Sequence, residues 1–294
     1  TNIVRRGTGL PLVLVHGNGV DHRLLLDLDD VFDETGQWER IYLDLPGFGG
    51  TPALPGRGGL PDVADWLDDM VGSVIGHRPF AMIGSSLGGL LVRDLVGRRF
   101  PQCLGFALLA PVVDPVQGNR TLPEPSVVLE DDALLESLSA TDAEAYCEVA
   151  VVRTQDNWER FRRAALPGIR AADPEAMRRL GELYELPEPP DERLDGFEQP
   201  VLIIAGRQDA VVGYQDQQSL SELFPHATCA VLDQAGHNVH LDQPQTVREL
   251  LRNWLDEWSR DSRSCGVAPP DPAPADSDEF VHIAWTCAVG DTDV

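Results

Sequence analysis

The residues most able to do chemistry here are a serine, an acid and an imidazole, met along the chain in that order. Ser86 sits in Gly84-Ser85-Ser86-Leu87-Gly88, Asp209 in Gly206-Arg207-Gln208-Asp209, and His237 in Gln234-Ala235-Gly236-His237. A serine hydroxyl is a poor nucleophile unless a base takes its proton, and the base needs an acid to orient it. Ser86, His237 and Asp209 are therefore the candidate nucleophile, base and orienting acid of an acyl transfer. Asp114, in Ala110-Pro111-Val112-Val113-Asp114, is the alternative acid, because it also follows an apolar run. G-x-S-x-G has meaning only at a strand-to-helix turn, where the serine is thrust above the sheet. At such a turn Gly84 and Gly88 let strand and helix cross closely. Leu87 then presents its N–H at the helix N-terminus, where unpaired donors and the helix dipole favour negative charge.

The surrounding pattern supplies that context. Short apolar, β-branched runs read as buried strands at 12–16, 40–45, 79–84, 104–110, 201–206 and 228–232. Helical spacing predicts helices over 62–75 and 87–99. A further helix starts with Pro244 at its first position and carries the stripe Val247, Leu250, Leu251, Trp254, Leu255 and Trp258. The expected fold is α/β, a mostly parallel central sheet flanked by helices. Asp209 and His237 each fall just past the carboxyl end of a strand, the edge where open α/β sheets bind ligands.

The expected organisation is a core from 1–114 and 200–258, a helical insertion at 115–199 and a tail at 259–294. The insertion carries 19 acidic side chains against 9 arginines, a net of −10, read mostly as a solvated face. In the tail, 266–278 is Pro/Ala/Asp-rich and reads as disordered linker. The apolar stretch 280–290 that follows has no functional reading.

Together these pieces resemble the α/β-hydrolase superfamily, in the branch with a helical cap that includes esterases, lactonases, cofactor-free haloperoxidases and C–C bond hydrolases. The resemblance rests on HGNG (16–19), DLPGFGGT (44–51), GSSLGG (84–89), GRQD (206–209) and AGHNVHLDQP (235–244), and spans about 12 to 258. It implies that the insertion is the cap, and that the backbone N–H of Asn18 joins that of Leu87 in an oxyanion hole. His16 is expected to brace that loop from beneath. Asp21 and His22 are expected at the surface or as helix caps. The chain starts close to HGNG, so the first edge strands are expected to be short or absent.

The expected activity is cleavage of a small carboxylic ester or lactone, with a C–C bond hydrolase of dicarbonyl-type substrates and a non-turnover ligand sensor as alternatives. The rate should rise as His237 loses its proton. No cofactor is expected. No metal is expected either, since His237 and His240 form an H-x-x-H without a zincin context, and Gly47-Phe48-Gly49-Gly50 has Pro52 where a dinucleotide loop needs its third glycine. A net charge of −25, from 23 arginines, no lysine and 48 acids, argues against a nucleic-acid partner or an anionic membrane surface. The expected partner is a small-molecule substrate. Five widely spaced cysteines form no disulfide or zinc pattern. With no leader-like start, the expected location is cytoplasmic.

Overall fold

The structure, a computed structural model, describes residues 1–264, with side chains given as far as residue 257. Nine strands occur in this range: β1 (Ile3–Arg6), β2 (Leu10–Val15), β3 (Trp38–Leu43), β4 (Phe80–Ser85), β5 (Cys103–Leu109), β6 (Leu129–Glu130), β7 (Val152–Arg153), β8 (Val201–Gly206) and β9 (Ala227–Leu232). Seven form one sheet in the order β1-β3-β2-β4-β5-β8-β9. Only the edge pair β1–β3 is antiparallel.

The central strands read as continuous apolar runs because both faces are covered. Alternate residues face opposite layers: Val13 and Val15 pack with helices Leu60–Ile75 and Leu87–Arg98, while Leu12 and Leu14 pack with Val31, Phe32 and the last helix, Pro244–Ser264. Each fully buried aliphatic side chain contributes about 1.5–3 kcal/mol against exposure. Charge enters the core only with partners. Asp29 accepts from Arg40 Nε (3.1 Å) and from the Tyr42 hydroxyl (2.6 Å). Burial opposes the Asp29 charge, but Arg40 and Tyr42 outweigh it and hold the carboxyl below its ordinary value.

The sequence pattern missed β1, whose four residues include two arginines; it is the short edge strand the resemblance allows for. The segment 115–199 carries five α-helices and also the two-residue strands β6 and β7, paired in parallel. Four of its five α-helices start on side-chain caps: Asp131 accepts from Leu134 N, Ser139 from Asp142 N, Thr154 from Asn157 N and Asp173 from Ala176 N. Tyr146, Trp158 and Phe161 form an aromatic cluster that also takes in Leu24 and Leu241. The insertion is thus seated on the loop after β2 and the turn after β9. The last helix runs beyond the expected end, to Ser264. The 266–278 and 280–290 segments lie outside the described residues, as do Cys265 and Cys287. Cys103, Cys147 and Cys229 are unbridged. Among the described residues, no helix is long and apolar enough to cross a membrane.

Candidate active site

Ser86 links β4 to helix Leu87–Arg98 and carries φ 54°, ψ −118°. A non-glycine residue rarely adopts this backbone, and here hydrogen bonds on both sides hold it. Ser86 N–H donates to Leu109 O (3.0 Å), and Ser86 O accepts from Gly89 N (2.9 Å) and Val112 N (3.0 Å). The flanking glycines are dictated by contact. A Cβ on Gly84 would lie 2.5 Å from Gly88 O, and one on Gly88 would lie 2.1 Å from Val15 O.

The three candidate residues meet. His237 Nδ1 is 3.0 Å from Asp209 Oδ2, and Nε2 is 3.0 Å from Ser86 Oγ. A carboxylate only accepts, so Nδ1–H donates to Asp209 and Nε2 is left to accept the Ser86 hydroxyl. Asp209 is fully buried, and its Oδ1 accepts from Val211 N (2.9 Å) and Val212 N (3.1 Å), which fix its rotamer. Asp114 is placed elsewhere. Its carboxylate accepts from Val116 N (2.8 Å) and Asn119 Nδ2 (2.9 Å), and it lines a separate cavity.

Gly17 abuts the serine, with the position of a Cβ on it 3.0 Å from Ser86 Cβ and 3.6 Å from Ser86 Oγ. Asn18 follows on the same cavity wall. The N–H groups of Asn18 and Leu87 make no hydrogen bond to a described residue. His16 braces this loop: Nδ1–H donates to Gly17 O (2.7 Å) and Nε2 accepts Leu45 N–H (3.0 Å). Burial lowers its pKa and favours the neutral ring.

Asp21 and His22 are covered rather than at the surface, but His22 takes the N-cap position of helix Arg23–Leu26, as the other half of the expectation has it. Asp21 is fully buried under helix Leu166–Ala171, where a Cβ on Gly168 would lie 2.6 Å from Asp21 N, and it accepts from Arg23 N (3.0 Å). His22 Nδ1 meets Asp44 Oδ1 at 2.7 Å. Asp21, His22 and Asp44 are the one group of potential metal ligands among the described residues, with ligand atoms within 4.8 Å. Asp44 does not fit that use well. Its Oδ1 also accepts His22 N–H (2.9 Å), and Oδ2 accepts from Asn2 Nδ2 (2.7 Å) and Gly50 N (2.8 Å). Burial works against its charge, yet the His22 contacts hold the carboxyl well below its ordinary value. It is a hub for three loops. His240, the second histidine of the H-x-x-H, donates through Nε2–H to Leu24 O (3.2 Å) in the core, and burial lowers it to about 4.

Sequence reasoning missed what supports the histidine loop. Asp242 accepts Gly236 N–H at Oδ2 (2.8 Å), one residue before His237, and Asn157 Nδ2 at Oδ1 (2.7 Å). Asn157 Oδ1 in turn accepts the Tyr146 hydroxyl (3.0 Å). A chain of buried polar groups therefore runs from the insertion to the backbone beside His237. Burial pushes the Asp242 carboxyl up to about 6 despite these donors.

The serine, the histidine and the Asn18 loop open into a cavity of ≈ 570 Å³, roofed by residues of the insertion such as Phe161, Ile169, Met177 and Tyr184. That volume suits a small organic ligand, and the lining is predominantly apolar.

Fold and site together define an α/β protein whose Ser86, His237 and Asp209 are gathered at one edge of a mostly parallel sheet. Residues 12–250 match the Alpha/beta hydrolase family, and the chain belongs to it. It is 28% identical over 269 residues to the Biotin biosynthesis bifunctional protein BioHC of Cellvibrio japonicus, covering 83% of this chain but only 47%, about half, of that longer relative. It is 26% identical to the 2-succinyl-6-hydroxy-2,4-cyclohexadiene-1-carboxylate synthase of Salmonella arizonae, over 84% of this chain and 95% of the relative. Among solved structures it resembles an alpha/beta superfamily hydrolase from Oenococcus oeni PSU-1, with a TM-score of 0.80 and 26% identity over 87% of this chain and 95% of that one.

Proposed function

We propose that this hydrolase-family chain cleaves a small carboxylic ester or lactone through an acyl-enzyme on Ser86. The observation that carries the reading is the chain of two 3.0 Å contacts from Ser86 through His237 to Asp209. His237 Nε2 takes the hydroxyl proton as Ser86 Oγ attacks the carbonyl carbon. Asp209 holds the imidazole by Nδ1 and stabilises the imidazolium. The N–H groups of Asn18 and Leu87 receive the oxyanion, each such donor being worth about 3–4 kcal/mol in the transition state. The imidazolium returns its proton to the leaving alcohol. Water, activated by the same nitrogen, then attacks the acyl carbon and frees Ser86. The insertion acts as a cap whose inner face selects the acyl group. In this reading the substrate is a small molecule and no cofactor takes part.

A second reading, in which the same site breaks a C–C bond in a dicarbonyl-type substrate, uses the same three residues. Labelling with a fluorophosphonate tests the serine in either case. We expect stoichiometric modification mapped to Ser86 and none in Ser86→Ala; a folded protein that stays unlabelled overturns the acyl-enzyme mechanism. Turnover of esters against a chromogenic dicarbonyl then separates the two readings.

A further inference from the structure

Besides His237, two charged side chains reach the cavity above Ser86: Glu148, exposed at the end of helix Ala140–Cys147, and Arg120, which is half-buried. Arg120 is held by main chain alone. Its Nε donates to Asp114 O (2.8 Å), one terminal nitrogen to Val211 O (3.1 Å) and the other to Pro115 O (3.1 Å). Both segments are tied to the site, since Val112 N–H is bonded to Ser86 O and Val211 N–H to Asp209. The guanidinium is thereby fixed relative to both residues.

These carbonyls satisfy geometry but leave the positive charge unneutralised. Arg120 makes no ion pair with a described residue, in a chain with about twice as many acids as arginines. Three other well-covered arginines find a carboxylate, Arg40 with Asp29, Arg93 with Asp191 and Arg99 with Asp68, whereas half-buried Arg160 meets only the Leu241 carbonyl among the described residues. Three of the five guanidinium N–H bonds are used, so one on each terminal nitrogen has no acceptor among the described residues. Tyr184 lines the same cavity, and its hydroxyl makes no hydrogen bond to a described residue. Burial raises this phenol to about 12 and Arg120 pulls it the other way, so the two groups lie within electrostatic reach. A fixed cation with two open N–H bonds, lining the same mostly apolar cavity as an open phenol, has the chemistry of a carboxylate receptor.

We propose that Arg120, assisted by Tyr184, binds a carboxylate that the substrate carries in addition to its scissile carbonyl. The substrate class is then a half-ester or lactone of a dicarboxylic acid. This deepens the hydrolase reading above and rests on it.

The test separates binding from turnover. In Ser86→Ala protein, calorimetry compares monomethyl glutarate with methyl pentanoate, a neutral probe of similar length. We expect the carboxylate to bind at least about 10-fold tighter, as charge-assisted hydrogen bonds allow. Adding Arg120→Met should abolish that preference and leave methyl pentanoate unchanged; adding Tyr184→Phe should reduce it about 3-fold. Equal affinities in the parent, or a preference that survives Arg120→Met, overturns the proposal. Should Arg120→Met lose both ligands, Arg120→Lys decides: a partial preference supports the subsite, and methyl pentanoate binding without preference, or no binding of either probe, overturns it. Turnover by the protein with Ser86 intact is scored apart. A binding preference without hydrolysis removes the hydrolase reading and keeps the subsite, whereas hydrolysis of both esters without preference does the reverse.

Discussion

At Ser86 the backbone conformation and the two glycines beside it form one device. The positive φ aims the hydroxyl at His237, and the glycines allow helix and strand to approach closely enough to hold it there. Gly88→Ala would place a methyl 2.1 Å from the Val15 carbonyl, which is sheet backbone and cannot move aside. We expect a loss of about 2 kcal/mol or more in urea unfolding, typical of forced overpacking, together with a large fall in activity. Asp209→Asn separates chemistry from folding. An amide oxygen can still accept the Val211 and Val212 N–H groups, but the histidine loses the partner that fixes its tautomer. The expected result is a melting temperature near that of the parent and kcat lower by about 10⁴-fold in an ester assay; retained activity would move the acid role elsewhere. These residues were readable in the sequence because strand-edge turns leave local signatures, and because each lies within a few residues of an apolar run. Asp114 was the alternative on that local ground; His237 meets Asp209 instead, and Asp114 spends its carboxylate on turn contacts with Val116 and Asn119.

Between elements, hydrogen bonds rather than apolar area alone tie the insertion to the histidine loop. Asn157, on helix Gln155–Ala164, reaches Asp242 across 85 residues of sequence, and Asp242 reaches the backbone beside His237. Removing the carboxylate with Asp242→Ala leaves the buried Gly236 N–H without its acceptor, at a cost of about 1–3 kcal/mol. The loop carrying His237 then has more freedom, so kcat should fall more than KM rises, whereas Asp242→Asn, which keeps an acceptor, should restore much of kcat. Equal kcat values for the Ala and Asn variants, measured under saturating ester, would reduce Asp242 to a packing residue. No sequence window contains the Asn157–Asp242 contact, because its partners lie 85 residues apart; Asp242 stands in the AGHNVHLDQP stretch, but Asn157 belongs to no motif. The same limit explains the other gaps in the sequence reading. β1 is short, half polar and defined by its pairing with β3, and β6 and β7 have two residues each, too few for any period to register. The six longer strands of the sheet and its principal helices were legible because burial on both faces, or on one stripe, writes itself into composition.

Over the whole molecule, charge sets how stability responds to solution conditions. A net −25 repels itself, so raising NaCl from about 10 to 150 mM should raise the melting temperature as the Debye length shortens. The pH response is governed by buried groups shifted in opposite senses. Burial lowers His240 to about 4, so its contribution to stability is complete above its ordinary value and is lost as pH falls toward 4. Burial raises Asp242 to about 6, so its contribution is complete below the ordinary carboxylate range and is lost as pH rises through 6. Between about pH 4 and 6 the folded chain therefore holds a proton on Asp242 that the unfolded chain releases, and lacks one on His240 that the unfolded chain binds. The two slopes offset each other. Asp242→Asn removes one of them: relative to the parent, it should gain stability as pH rises from 4.5 to 7.5, by on the order of 2 kcal/mol. Urea unfolding of both proteins at the two pH values gives the difference directly. A difference that does not change with pH would mean that Asp242 titrates alike in the folded and unfolded chains. The His237 loop would then rest on a carboxylate that stays charged across this range, and the link from Asn157 to Gly236 would hold unchanged wherever the enzyme is assayed.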